Sequence, residues 1–151
     1  MRTPILCALA ICANVAHAFE GESRFKLNAA GVEHTLQVSQ YKLDKKGVPS
    51  FDYVYEQHAG SCRFTMSGHA VAGFEESKGK IQLEVFNPQG DDGKELPQIL
   101  VYYTDGATFT LPYKGKLKQV SFDGTLTPGQ LKSSCGKKSS DEISLLFKQT
   151  P

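Results

Sequence analysis

Apolar and polar side chains alternate along most of this chain. Phe51, Tyr53 and Tyr55 interleave with Asp52, Val54 and Glu56. Cys62, Phe64, Met66, Gly68, Ala70, Ala72 and Phe74 share one parity, against Arg63, Thr65, Ser67, His69 and Val71. Ile81, Leu83 and Val85 stand against Gln82 and Glu84, and Ile143, Leu145 and Phe147 against Ser144 and Lys148, with Leu146 interrupting the polar face. Side chains two apart point to one face of a strand, so each run predicts a strand with one face on a core. Between His34 and Leu43 the apolar parity shifts from Leu36 and Val38 to Tyr41 and Leu43, which predicts a bulge or a change of face. Leu100-Val101-Tyr102-Tyr103 is apolar on both faces, the mark of a central or doubly covered strand.

Turn chemistry separates these runs. Asn28-Ala29-Ala30-Gly31, the stretch from Asp44 to Ser50, Lys78-Gly79 and Asp105-Gly106 each fall between two of them, and Asp105-Gly106 is a hairpin signal. Thr127 to Lys132 (TPGQLK) fits one helical turn. The pattern predicts an all-β domain spanning residues 19–151, a small antiparallel β-sandwich or partly closed barrel of about nine strands. Lys116 and Lys118 share strand parity and read as a charged sheet edge.

The first 18 residues are set apart from that domain. Arg2 provides a short charged start, Ile5 to Ala13 is uncharged and mostly apolar, and Ala16-His17-Ala18 places small residues as signal peptidase requires. The expectation is a signal peptide cleaved after Ala18 and a soluble periplasmic product. Lys+Arg number 17 and Asp+Glu 16, so losing Arg2 balances the charge. A balanced chain lacks the basic excess by which a dedicated nucleic-acid binder displaces counterions. No run after residue 18 approaches the roughly 20 apolar residues of a membrane span. Cys7 and Cys12 leave with the signal, and Cys62 and Cys135 remain. In an oxidising compartment they form the one possible intramolecular disulfide, worth about 4 kcal/mol in the chain-entropy picture.

Candidate chemistry is sparse. His58, Cys62, Met66 and His69 include soft metal ligands, but strand parity sends Met66 and His69 to opposite faces. Asn87, Gln89, Asp91, Asp92 and Glu95 offer oxygen ligands without the spacing of a calcium loop. No nucleophile elbow or zinc-protease helix is present, and Ser61 beside His58 lacks the convergence that catalysis requires. Glu75-Glu76, Asp91-Asp92 and Asp141-Glu142 read as solvated carboxylates. No catalytic residue, metal site or cofactor is therefore assigned. Ser67-Gly68-His69-Ala70-Val71 is similar to the S-G-x-x-Y motif of small periplasmic lysozyme inhibitors over five positions, with Val71 in the place of the tyrosine, so no family is assigned.

The longest polar stretch, Asn87 to Pro97 (NPQGDDGKELP), reads as a projecting, adaptable loop. Asp91, Asp92, Lys94 and Glu95 are its candidate partner-binding side chains. The expected function is non-catalytic: an exported binding protein of the periplasm, favoured as an inhibitor or immunity protein against a cell-wall-degrading enzyme, with another envelope protein as partner. The alternative is a small-molecule or lipid carrier with an apolar cavity inside the β fold. An exported hydrolase ranks third.

Overall fold

The computed structural model describes residues 21–136 and 140–149, so the signal-peptide reading lies outside the described residues. The chain forms β1 (Ser23–Ala29), β2 (Val32–Leu43), β3 (Pro49–Ala59) and β4 (Cys62–Ala72), then β5 (Phe74–Ser77), β6 (Lys80–Leu83) and β7 (Val85–Phe86). It continues through β8 (Ile99–Thr104), β9 (Ala107–Pro112), β10 (Gln119–Thr125), the short helix α1 (Pro128–Ser133) and β11 (Glu142–Lys148). Nine strands make one antiparallel sheet in the order β1-β2-β3-β4-β8-β9-β10-β11, with β7 beside β8. The sheet curls until its two edges approach, where the Phe25 and Phe147 rings lie 6.4 Å apart. The result is a nearly closed barrel, not two stacked sheets.

The order of strands separates two kinds of connection. At one end sit the two-residue turns Ala30-Gly31, Gly60-Ser61 and Asp105-Gly106, together with the segment carrying α1. Ala30 and Gly31 have φ of 50° and 78°, the doubly left-handed backbone that matches the twist of a tight hairpin. The opposite end carries the longer links: residues 44–48, the long connection 73–98 and residues 113–118. Lys116 and Lys118, expected on a strand edge, lie in the last of these, because pairing of β9 stops at Pro112 and β10 starts only at Gln119.

The predicted parity shift in β2 is a bulge. Pairing with β3 slips by one residue between Ser39 and Lys42, and Gln40 takes φ 54°. Strand β4 explains how the barrel holds so many rings. Across the β3–β4 register Gly68 faces Tyr53 and Ala70 faces Phe51, while Ala72 faces Tyr102 of β8. Small side chains leave room for aromatic ones leaning over them. A Cβ on Gly68 would lie 3.0 Å from the Tyr53 ring. Ring centroids are 4.8 Å apart for Phe51–Tyr102, 4.7 Å for Tyr53–Phe109 and 4.7 Å for Tyr55–Phe122. Phe51, Tyr55, Tyr102, Phe109 and Phe122 are completely buried, so aromatic rings occupy the middle of the barrel.

One strand ends earlier than its alternation implies. Phe74 shares the inward parity of β4, yet it is exposed. Gly73 breaks the run: its N–H donates to the Val101 carbonyl at 2.9 Å, and its own carbonyl accepts from the Glu84 N–H at 3.0 Å. The chain then leaves the barrel as the separate hairpin β5–β6, where no core stands opposite Phe74. The predicted helical turn is α1, capped by Thr127, whose hydroxyl accepts from the Gln130 N–H while the Gln130 side chain accepts from the Thr127 N–H.

Candidate functional site

The end with tight turns is closed by a strap. Cys62 opens β4 and Cys135 follows α1; the two pair as a disulfide, with Cα atoms 5.7 Å apart. Beneath it lies a buried polar chain. The Cys135 N–H donates to Gln57 Oε1 at 2.8 Å. Gln57 Nε2 donates to Tyr55 Oη at 2.9 Å, and that hydroxyl pairs with His34 Nδ1 at 2.7 Å. Burial holds His34 below the ordinary imidazole range, against a raising contribution from a hydrogen bond with the Ala29 backbone. Burial also pushes the Tyr55 hydroxyl up to about 12, tempered by Gln57. Sequence reasoning missed this cluster, although a signal existed. Gln57 follows Phe51, Tyr53 and Tyr55 at the core parity of β3, and a polar residue there implies a buried partner.

Three buried tyrosines thus find three different fates. Tyr55 is bonded twice. Tyr53 is held by a hydrogen bond to Thr104, and burial raises its hydroxyl above the usual range. The Tyr102 hydroxyl is buried and finds no hydrogen bond of good geometry among the described residues, although the Tyr41 side chain lies close enough to interact with it. Burial, then the nearness of Tyr41, drives its ionisation far beyond the usual range.

The residues weighed for metal or acid–base chemistry are dispersed. Met66 points into the barrel, Cys62 is in the disulfide, and His58 pairs with the Arg63 guanidinium. His69 Nδ1 lies 2.6 Å from Asp52 Oδ1 on the outer face, a cross-strand pair open to solvent. Among the described residues no group of three or more His, Cys, Asp or Glu is placed to hold a metal ion. Nor is any helix among them long and apolar enough to cross a membrane.

Asp91, Asp92, Lys94 and Glu95 do come together, on one exposed turn. That turn is hydrogen-bonded within itself. Gly90 N–H donates to the Lys94 carbonyl at 2.8 Å, Gly93 N–H to the Gly90 carbonyl at 2.9 Å, and Leu96 N–H to the Pro88 carbonyl at 2.9 Å. Asp92 accepts from Lys94 twice, from Nζ at 2.7 Å and from the backbone N–H at 3.1 Å. Those bonds hold its carboxyl below the ordinary range. Lys94 and Asp92 therefore satisfy each other, leaving Asp91 and Glu95 as the outward charges.

A feature of the outer wall was not anticipated as a site. Val71, Phe74, Phe86, Leu96 and Tyr103 expose between 37% and 49% of their surface, and all lie within β4–β8. Beyond them, only Leu146 is comparably exposed among the large apolar residues described. Val71 and Tyr103 are cross-strand neighbours, as are Phe86 and Ile99. Next to Tyr103 a groove runs along the seam where β4 and β8 part, lined by Ser67, Gly68, His69, Tyr103, Thr104 and Asp105.

No known protein family matches this chain. No characterised protein and no solved structure matches it either.

Proposed function

We propose that the chain is a non-catalytic exported binding protein of the periplasm, favoured as an inhibitor or immunity protein that occludes a cell-wall-degrading enzyme. The observation that supports this reading is the filled interior. The alternative, a carrier of small molecules or lipids, needs room where Phe51, Tyr53, Tyr102, Phe109 and Phe122 pack ring against ring. A barrel with a solid core and tight turns is a rigid platform, and rigidity lowers the ordering cost of association. What it offers a partner is its outside: the apolar wall and the acidic turn of Asp91 and Glu95.

The test pairs two measurements on the chain beginning at Phe19. Cell-wall hydrolysis by a panel of muramidases, amidases and endopeptidases is followed with and without the protein. Native mass spectrometry is run on the protein as purified from its source. The expected result is stoichiometric inhibition of one enzyme and a protein complex in the spectrum. A co-purifying small ligand, or hydrolysis by the protein itself, overturns the reading.

A further inference from the structure

Strand β8 carries apolar side chains on both faces, and only the inner face is fully covered. Leu100 and Tyr102 point into the barrel and are buried. Ile99, Val101 and Tyr103 point out, flanked by Phe86 of β7 and Val71 of β4. A strand apolar on both faces belongs inside a structure covered on both sides. Here the second cover is partial: Ile99 and Val101 are half-buried, while Tyr103, Val71 and Phe86 stay exposed, and an apolar patch on a protein surface marks a contact site.

The charges around the patch indicate what covers it. The Glu84 carboxylate sits against Gly73 beside the Tyr103 ring: a Cβ on Gly73 would lie 2.5 Å from Glu84 Oε2 and 3.1 Å from Tyr103 Cε2. Asp105 borders the neighbouring groove. Between residues 73 and 98, Lys78, Lys80 and Lys94 face twice as many carboxylates. Lys94 is engaged by Asp92 and Glu76 by Lys46, which leaves Glu75, Glu84, Asp91 and Glu95 without an ion pair among the described residues. A second copy related by a twofold axis through this patch would set Glu84 and Asp105 against like charges.

We infer that the outer face of β7–β8–β4, centred on Tyr103 and rimmed by Glu84 and Asp105, is the docking surface for a protein that presents an apolar side chain flanked by Lys or Arg. This rests on the binding reading above and moves its contact from the 87–97 turn to the barrel wall. Tyr is suited to such a centre, since it brings a large rigid ring and a polar tip.

The experiment installs the photo-cross-linker p-benzoyl-phenylalanine at position 103 or at position 92 of the full chain, expressed in cells of its source. Cross-linked peptides are identified by mass spectrometry. The identified partner is then purified and titrated against Tyr103→Ser, Glu84→Lys and Asp92→Lys, with circular dichroism confirming each fold. The expected result is a cross-link from position 103 to a partner segment bearing Lys or Arg. Tyr103→Ser and Glu84→Lys then weaken binding tenfold or more, and Asp92→Lys less than twofold. A cross-link from position 92 alone overturns the docking surface while leaving the binding reading in place. A cross-link to a second copy, or unchanged affinity in both wall variants, also overturns it. No cross-link from either position, together with no inhibition of the hydrolase panel, removes both.

Discussion

Replacing Tyr102 by phenylalanine should stabilise this protein, whereas the same change at Tyr55 should damage it. Both side chains are completely buried, and both changes remove one oxygen and keep the ring. At position 102 the lost hydroxyl meets no partner in good hydrogen-bond geometry among the described residues and has only the nearby Tyr41 side chain to interact with, while the ring keeps its packing on Phe51 at 4.8 Å. Burying an unbonded hydroxyl costs about 1–3 kcal/mol, so Tyr102→Phe should raise stability by about 1 kcal/mol, the lower end allowing for local relaxation. At position 55 the hydroxyl satisfies both His34 Nδ1 and Gln57 Nε2. Tyr55→Phe strands two buried polar atoms and should cost about 2–3 kcal/mol. The two variants should therefore differ by about 3–4 kcal/mol, from identical chemistry in one core. Urea unfolding reads the difference directly, provided the slope with denaturant is unchanged. In thermal melts each kcal/mol corresponds to roughly 3–6 °C for a domain of this size. If Tyr102→Phe destabilises as much as Tyr55→Phe, the hydroxyl is bonded in solution and the reasoning fails.

Further outcomes follow from the same contacts. Reducing the Cys62–Cys135 bond, or replacing both cysteines by serine, should cost about 4 kcal/mol and loosen the segment carrying α1; equal urea midpoints with and without reductant would contradict this. His34 is depressed by burial in the fold, so the unfolded chain takes up its proton first. Stability should then be complete above about pH 6.5 and fall as pH drops below it, a slope that His34→Gln removes in pH-resolved unfolding curves. Tyr55 has the opposite sense: its hydroxyl is raised to about 12, so its contribution is full below about pH 10 and is lost as pH climbs through 12. An alkaline melt series that is flat between those values would refute it. Gly68→Ala puts a methyl 3.0 Å from the Tyr53 ring and 3.2 Å from Thr104 Oγ1, and should destabilise by about 1–3 kcal/mol in calorimetry.

Much of the fold was legible residue by residue. Strands β3 and β4, the bulge in β2, the Asp105-Gly106 hairpin and the Thr127-capped turn all follow from spacing and turn chemistry. The candidate site was legible only in part. Asp91, Asp92, Lys94 and Glu95 could be grouped because they are neighbours in the chain. The hydrogen bonds that tie them into one turn could not, since these depend on which carbonyl each N–H of the turn finds. Leu100 to Tyr103 signalled two apolar faces, but not that the outer one is only partly covered, with Tyr103 left exposed. Gln57 broke an otherwise apolar row, yet its partners His34 and Cys135 come from segments far away in sequence.

The order of residues by itself determined where the chain extends, where it turns and which side chains share a face, because alternation and left-handed turn positions are properties of a few consecutive residues. Only the tertiary structure decided that the sheet curls until Phe25 meets Phe147, that Phe74 swings out after Gly73, and that the buried Tyr102 hydroxyl has only Tyr41 near it while Tyr55 makes two hydrogen bonds. Closure, burial and pairing depend on what stands across the barrel. Alternation names the face a side chain takes, not the neighbour it meets there.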